Sequence, residues 1–160
     1  MTIPSKSPAG AASQLFFRIA ANVAAPSAAP ITATVVPADC CIDSMFAHFG
    51  ECCLHVEAGV CSVLEYLRGE RHEGRWRVVE LSNGGLYMAP ETDRALRLYC
   101  EGNRFEGTVD AETAGIIASL MALSQLSFPL SEPRVAEAFY RLRDYALEHR
   151  EVGVIFRAID

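Results

Sequence analysis

The side chains with the strongest claim to chemistry are Cys40, Cys41, His48, Cys52, Cys53 and His55, six soft ligands within sixteen residues. Thiolates and imidazoles at that density would suit a zinc ion, or a nucleophilic cysteine with histidine as its base. The spacing argues against structural zinc: the cysteines come in adjacent pairs whose side chains diverge, and no C-x2-C pair exists. Cys61 or Cys100 would need the fold to bring it to His72 or His149. Both fall in ordinary places for a buried thiol, one on a helical stripe and one at a strand end.

"SNGG", Ser82 to Gly85, has the glycine content of a phosphate cradle. Such cradles lead a strand into a helix, whereas here a strand runs into a strand. Glu101, Glu106 and Asp110 could gather at one end of a sheet as an acid–base pair, but acids beside turns are usually solvated. Tyr87, Tyr99, Tyr140 and Tyr145 lack the Lys/Arg stripe of a base-stacking platform and are expected to cover sheet edges. The residues therefore point to no metal, no cofactor and no catalytic group. A small cysteine- or metal-dependent enzyme using Cys40 to His55 stands as the alternative.

Composition narrows the classes further. Twenty acids against 14 Lys and Arg give a net charge of −6 in 160 residues, with the two signs interspersed. A nucleic-acid binder would show a basic face, so direct nucleic-acid binding is not expected. A charge imitation of DNA would need dense acidic stripes to match one phosphate per about 1.7 Å of duplex, and the longest acidic cluster is a pair. The 51% apolar content suits one domain that buries roughly two-thirds of its unfolded surface without disulfides. Free thiols then indicate a reducing cytoplasm.

Residues 1–30 are rich in Ala, Ser and Pro and read as a disordered extension. Arg18 and Asn22 interrupt the apolar core that a secretory signal would need. No run reaches the ~18 apolar residues of a membrane span, so no membrane partner is expected.

The elements follow from periodicity. "ITATVV", Ile31 to Val36, is β-branched and ended by Pro37, an edge strand. Asp39 is placed to cap a short helix that Gly50 closes, and a longer helix sets Leu54, Ala58, Cys61, Leu64 and Leu67 inward up to Gly69. Four strand-like runs follow: "RWRVVEL", "GLYMA", "ALRLYC" and "RFEGTV". Asn83-Gly84 supplies the left-handed residues of the first turn, with a bulge at Gly85, and Pro90 opens the next connection. Gly102 and Asn103 turn the last pair. Asp110 caps a helix apolar nearly all round, Ser131 with Pro133 starts another, and Val152 to Ile159 forms a third. The class is α+β: an antiparallel β-meander packed with helices before and after it, in one domain over residues 31–160.

Several segments, in order and spacing, resemble one known group. "ELSNGGLYMAP", "LRLYCEGNRFEG", "DAETAGIIASLMAL" and "LRDYALEHREVGVIFRAID" look like the ArdB/KlcA antirestriction family, and "ITATVVP" and "MFAHFG" resemble its beginning. The likeness covers Ile31 to Asp160. It implies a cytoplasmic protein of plasmids or other mobile genetic elements that inhibits host type I restriction-modification. The partner it implies is the type I restriction enzyme, met directly or through a host pathway, by protein interaction and not by DNA mimicry. It brings no catalytic residues, and the chain is expected to be a monomer.

The resemblance transfers few residues. Asn83, Gly84 and Gly85 match the family's first turn, and Gly102 and Asn103 its second; backbone geometry alone explains them. Asp144 and Tyr145, in "LRDYA", match the carboxy-terminal helix, and Asp160 ends the motif. Asn83, Asp144, Tyr145 and Asp160 are thus the candidate partner-binding residues, set against the ordinary reading of solvated or locally paired side chains.

Overall fold

The computed structural model describes residues 29–160. The extension expected over residues 1–30 falls, as far as residue 28, outside the described residues. The chain then runs β1 (Ala33–Val35), α1 (Cys41–Phe49), α2 (Cys53–Arg68), β2 (Trp76–Leu81), β3 (Leu86–Pro90), β4 (Leu96–Cys100), β5 (Phe105–Val109), α3 (Ala111–Leu130), α4 (Pro133–Glu148) and α5 (Val152–Ile159). The α+β class is observed: antiparallel strands in the middle, helices on either side.

The four middle runs do not form one meander. They divide into a three-stranded sheet, β1-β2-β3, and a separate hairpin, β4-β5. The cause lies at the outer edge of β3. Met88 turns its N–H away from β2 to the Ser119 hydroxyl of α3, 3.1 Å away, and the same oxygen faces the Met88 carbonyl at 3.5 Å. A helix thus satisfies the buried backbone groups that a fourth strand would have taken. One turn earlier on that helix, Gly115 makes the approach possible: a Cβ there would stand 2.4 Å from the Met88 carbonyl oxygen.

α3 is the central element, packed on α2, α4, α5 and β3. Among the described residues it is the one helix long and apolar enough to cross a membrane, and 56% of that stretch is buried inside the fold. Ile116, Ile117, Leu120 and Leu123 are fully enclosed, as an all-round apolar helix requires. Asp110 caps it as expected, accepting from the Thr113 N–H over 2.8 Å.

Other expectations shift in detail. Asp39 lies within a 3-10 turn, Ala38–Cys40, and caps nothing through its side chain. On α2 the buried stripe is Val56, Val60, Val63, Leu64 and Leu67, whereas Leu54 and Ala58 face out. The stripe follows the partner helix: Gly59, one step from Val60, receives Leu126 of α3, whose Cδ1 would lie 2.9 Å from an added Cβ. Pro90 ends β3 instead of opening the turn after it, and the cap of α4 is Glu132, which accepts from the Arg134 N–H, while Ser131 takes a left-handed conformation.

Candidate interaction surface

Two asparagines fasten the two hairpins to the carboxy-terminal helices. In the β2–β3 turn the Gly84 N–H donates to the Leu81 carbonyl and the Leu81 N–H to the Gly85 carbonyl. This is a three-residue loop in which Gly84 alone is left-handed, with φ 79°, in place of the expected pair of left-handed residues Asn83 and Gly84. Asn83 is thereby free for a second task. Its Oδ1 accepts from the Gly85 N–H at 3.0 Å, and its Nδ2 donates to the Arg141 carbonyl of α4 at 2.8 Å. Arg141 answers from the other side, its guanidinium donating to the Gly84 carbonyl at 3.2 Å.

The β4–β5 turn repeats the device. Asn103 accepts from the Phe105 N–H at 3.0 Å and donates to the Arg157 and Ala158 carbonyls of α5 at 3.1 and 2.9 Å. The residue after it is again left-handed, here Arg104 at φ 57°. Gly102 is not, and a Cβ there would meet open space. Asn is the side chain that does both jobs at once, one acceptor for the turn and one donor for the helix.

Apart from these clasps, α3 and α4 bring together a polar wall. Glu112, in the first turn of α3, accepts through Oε1 from the hydroxyls of Tyr87 on β3 and Tyr145 on α4, each at 3.1 Å. The two rings stack with centroids 6.0 Å apart. The other carboxylate oxygen lies 3.8 Å from His149 Nε2 and 4.0 Å from the Arg150 guanidinium. His149 Nδ1 accepts from the Glu151 N–H at 3.1 Å, so its ring proton sits on Nε2, facing Glu112. Arg150 also pairs with Asp110.

Burial first, and then the Glu112 charge, push both tyrosine hydroxyls above the ordinary phenol range, so they donate and do not ionise. Burial also acts to raise Asp110, but the Thr113 N–H and the Arg150 guanidinium outweigh it and hold its carboxyl below the usual value. The wall thus reads as a set of fixed donors and acceptors. In the sequence His149 stands out only as a partner for a distant cysteine, and Glu112 and Arg150 are not singled out, although all three lie within the family-like segments. The capping role of Asp110 fixes where the first turn of α3, and with it Glu112, begins.

The candidate residues part ways here. Tyr145 belongs to the wall, and Asn83 to the clasp. Asp144, beside Tyr145 on α4, is exposed, and its side chain makes no hydrogen bond or ion pair among the described residues. Asp160 closes α5 at the rim of a groove of about 300 Å3 lined by Leu120, Met121, Phe139, Arg143 and Phe156. Its N–H donates to the Phe156 carbonyl.

Among the described residues no three His, Cys, Asp or Glu side chains are placed to hold a metal ion. His48 and Ser44 turn to Glu80 of β2, with Ser44 donating at 2.6 Å. Cys61 is half-buried between Glu57 and Glu65, and burial with those two charges raises its thiol to about 11. His72 stacks edge-on against Trp76, and His149 belongs to the wall. The acids once grouped by sequence also separate: Glu106 pairs with Arg97, Asp110 with Arg150, and Glu101 is exposed in its turn.

A family profile described as "Antirestriction protein" matches residues 70–160. The chain is 42% identical over 116 residues to an antirestriction protein KlcA of Escherichia coli, a span of 62% of this chain and 80% of that protein. A second E. coli KlcA is 36% identical over 137 residues, spanning 82% and 96% of the two. The solved structure of the KlcA and ArdB proteins, described as showing a novel fold and antirestriction activity against type I DNA restriction systems in vivo but not in vitro, superposes with a TM-score of 0.77. It is 32% identical and covers 86% of this chain and 100% of that one.

Proposed function

Because the chain belongs to the antirestriction protein family, we propose that it shields incoming mobile DNA from host type I restriction by recognising a protein partner. The observation that carries this reading is the extent of the family match. Residues 70–160 include both hairpins, α3, α4 and α5, and so the clasps and the tyrosine–glutamate wall.

Recognition without catalysis is the mode the geometry favours. The tyrosines are locked as donors, Cys61 is a poor nucleophile at neutral pH, and among the described residues no three His, Cys, Asp or Glu side chains are placed to hold a metal ion. A net charge of −6 with interspersed signs is too sparse for imitation of a duplex. The related KlcA and ArdB proteins act in vivo but not in vitro. For this chain the same split favours a target as it exists in the cytoplasm, the type I enzyme in its working state or a host pathway that controls it. In this reading the protein acts as a monomer through Asp144, Tyr145 and Asp160, with Asn83 holding the adjoining hairpin.

The test is the plating efficiency of unmodified phage on a host with an active type I system, with and without this gene. Protection should raise plating while methylation in the same cells stays comparatively intact. Equal efficiencies would remove the proposal.

A further inference from the structure

The two edges of the three-stranded sheet are treated differently. Ser119 and Gly115 of α3 seal the β3 edge, as described above. Among the described residues the β1 edge is open. Thr32 and Val36 spend their backbone groups on β2: Ser82 N–H donates to the Thr32 carbonyl and Val36 N–H to the Val78 carbonyl, both at 2.9 Å. Ala33 and Val35, the alternate residues, therefore turn their N–H and carbonyl groups outward, where no described residue meets them. All three residues of β1 are exposed, Val35 by 55%.

Beside this edge, on the face that carries Ala33 and Val35, lies a cavity of about 200 Å3. Arg77, Val79, Tyr87, Ala89 and Glu112 complete its wall. Glu112 is committed to two tyrosine hydroxyls and lies beside His149 and Arg150. Arg77 is half-buried and, among the described residues, its side chain has no hydrogen bond or ion pair.

Two independent features thus specify one kind of occupant. Outward N–H and carbonyl groups call for an extended backbone, and the guanidinium beside them calls for a carboxylate. We infer that β1 is a docking edge that takes a short extended segment of a partner protein as a fourth strand, with an acidic side chain of that segment reaching Arg77. Pro30 and Pro37 bracket the edge and limit the added strand to the span of Ile31 to Val36. A second copy of β1 does not fit the requirement, because Ile31 to Val36 contains no acid. The inference rests on the reading that the protein works by recognition, and adds where and how the partner is held.

The probe is a capped hexapeptide of alternating threonine and valine with one central valine replaced by glutamate, titrated into the full chain and followed by amide NMR. Saturable shifts should centre on Ala33, Thr34 and Val35. Binding should weaken roughly tenfold for the glutamine peptide and for Arg77→Gln, the loss of one charge-assisted contact. It should vanish when the peptide amides that face β1 are N-methylated. Because no restriction enzyme is present, failure here leaves the plating result untouched, and failure of plating leaves this result untouched. N-methylated and unmethylated peptides binding alike, glutamate and glutamine peptides binding alike, or no shift at β1 at millimolar peptide would each overturn the inference. So would a concentration-dependent dimer abolished by Val35→Pro, which would assign the edge to a second copy.

Discussion

The Asn83 amide spans two elements 58 residues apart in sequence, its Nδ2 donating to the Arg141 carbonyl at 2.8 Å while its Oδ1 holds the Gly85 N–H of its own turn. Replacing it with alanine removes both bonds, and about 1–3 kcal/mol of stability is the expected loss. Asn83→Asp keeps the acceptor and loses the donor, so it should fall between. Urea denaturation of the three proteins gives the order directly. Asn103→Ala should cost a similar amount through α5, and the double variant should show the sum to within about 0.5 kcal/mol, since the clasps hold different helices.

At the sealed edge of β3, Gly115→Ala should be among the most damaging single changes, because backbone atoms stand 2.4 Å from the new methyl and cannot rotate away. A loss above about 3 kcal/mol, or failure to accumulate folded protein, is expected. Ser119→Ala is the graded companion: it leaves the buried Met88 N–H without a partner and should cost about 1–3 kcal/mol. Wild-type melting in either variant would mean that α3 does not seal that edge.

The pH dependence of stability has a sign at each end. Asp110 has a lowered carboxyl in the folded state, so its contribution is full above the ordinary carboxylate range and fades as pH falls through it, below about 4. Asp110→Ala should therefore cost about 0.5–2 kcal/mol at neutral pH, as a lost helix cap, and progressively less as pH falls below about 4. Tyr87 and Tyr145 are raised, so what they contribute is full below the ordinary phenol value and is lost as pH climbs past about 10. Urea midpoints across the acid range, and tyrosinate absorbance across the alkaline range, read the two effects separately.

Much of this was legible from sequence. Alternation in "ALRLYC" and "RFEGTV" sets Leu96, Leu98 and Cys100, and Phe105 and Val109, on one side of each strand, and all five are buried. Asp110 was readable as a cap because its side chain acts within one turn. What sequence missed depends on contacts across the chain. The split into two sheets follows from Ser119 and Gly115 meeting Met88, a relation no local pattern encodes. The phase of α2 was lost because Leu54 looks more apolar than Val56, yet α3 decides which face is covered. Glu112 gains its role only through Tyr87 and Tyr145, which reach it from β3 and α4.

Cys61 should be slow toward alkylating agents. A thiol at about 11 carries roughly a hundredth of the thiolate of one at the ordinary value of 9.0 at the same neutral pH. Time-resolved alkylation followed by peptide mass spectrometry should find Cys61 modified well after the exposed Cys40. Rapid labelling of Cys61 in folded protein would reopen a nucleophilic role.

The central claim, protection by recognition and not by covalent chemistry, is tested most directly by plating unmodified phage on a type I-restricting host that expresses a variant stripped of its soft ligands. In that variant Cys40, Cys41, Cys52 and Cys53 become serine, and His48 and His55 become glutamine. Protection equal to that of the wild-type gene is the predicted result. Loss of protection in a variant that accumulates and melts like the wild type would contradict it.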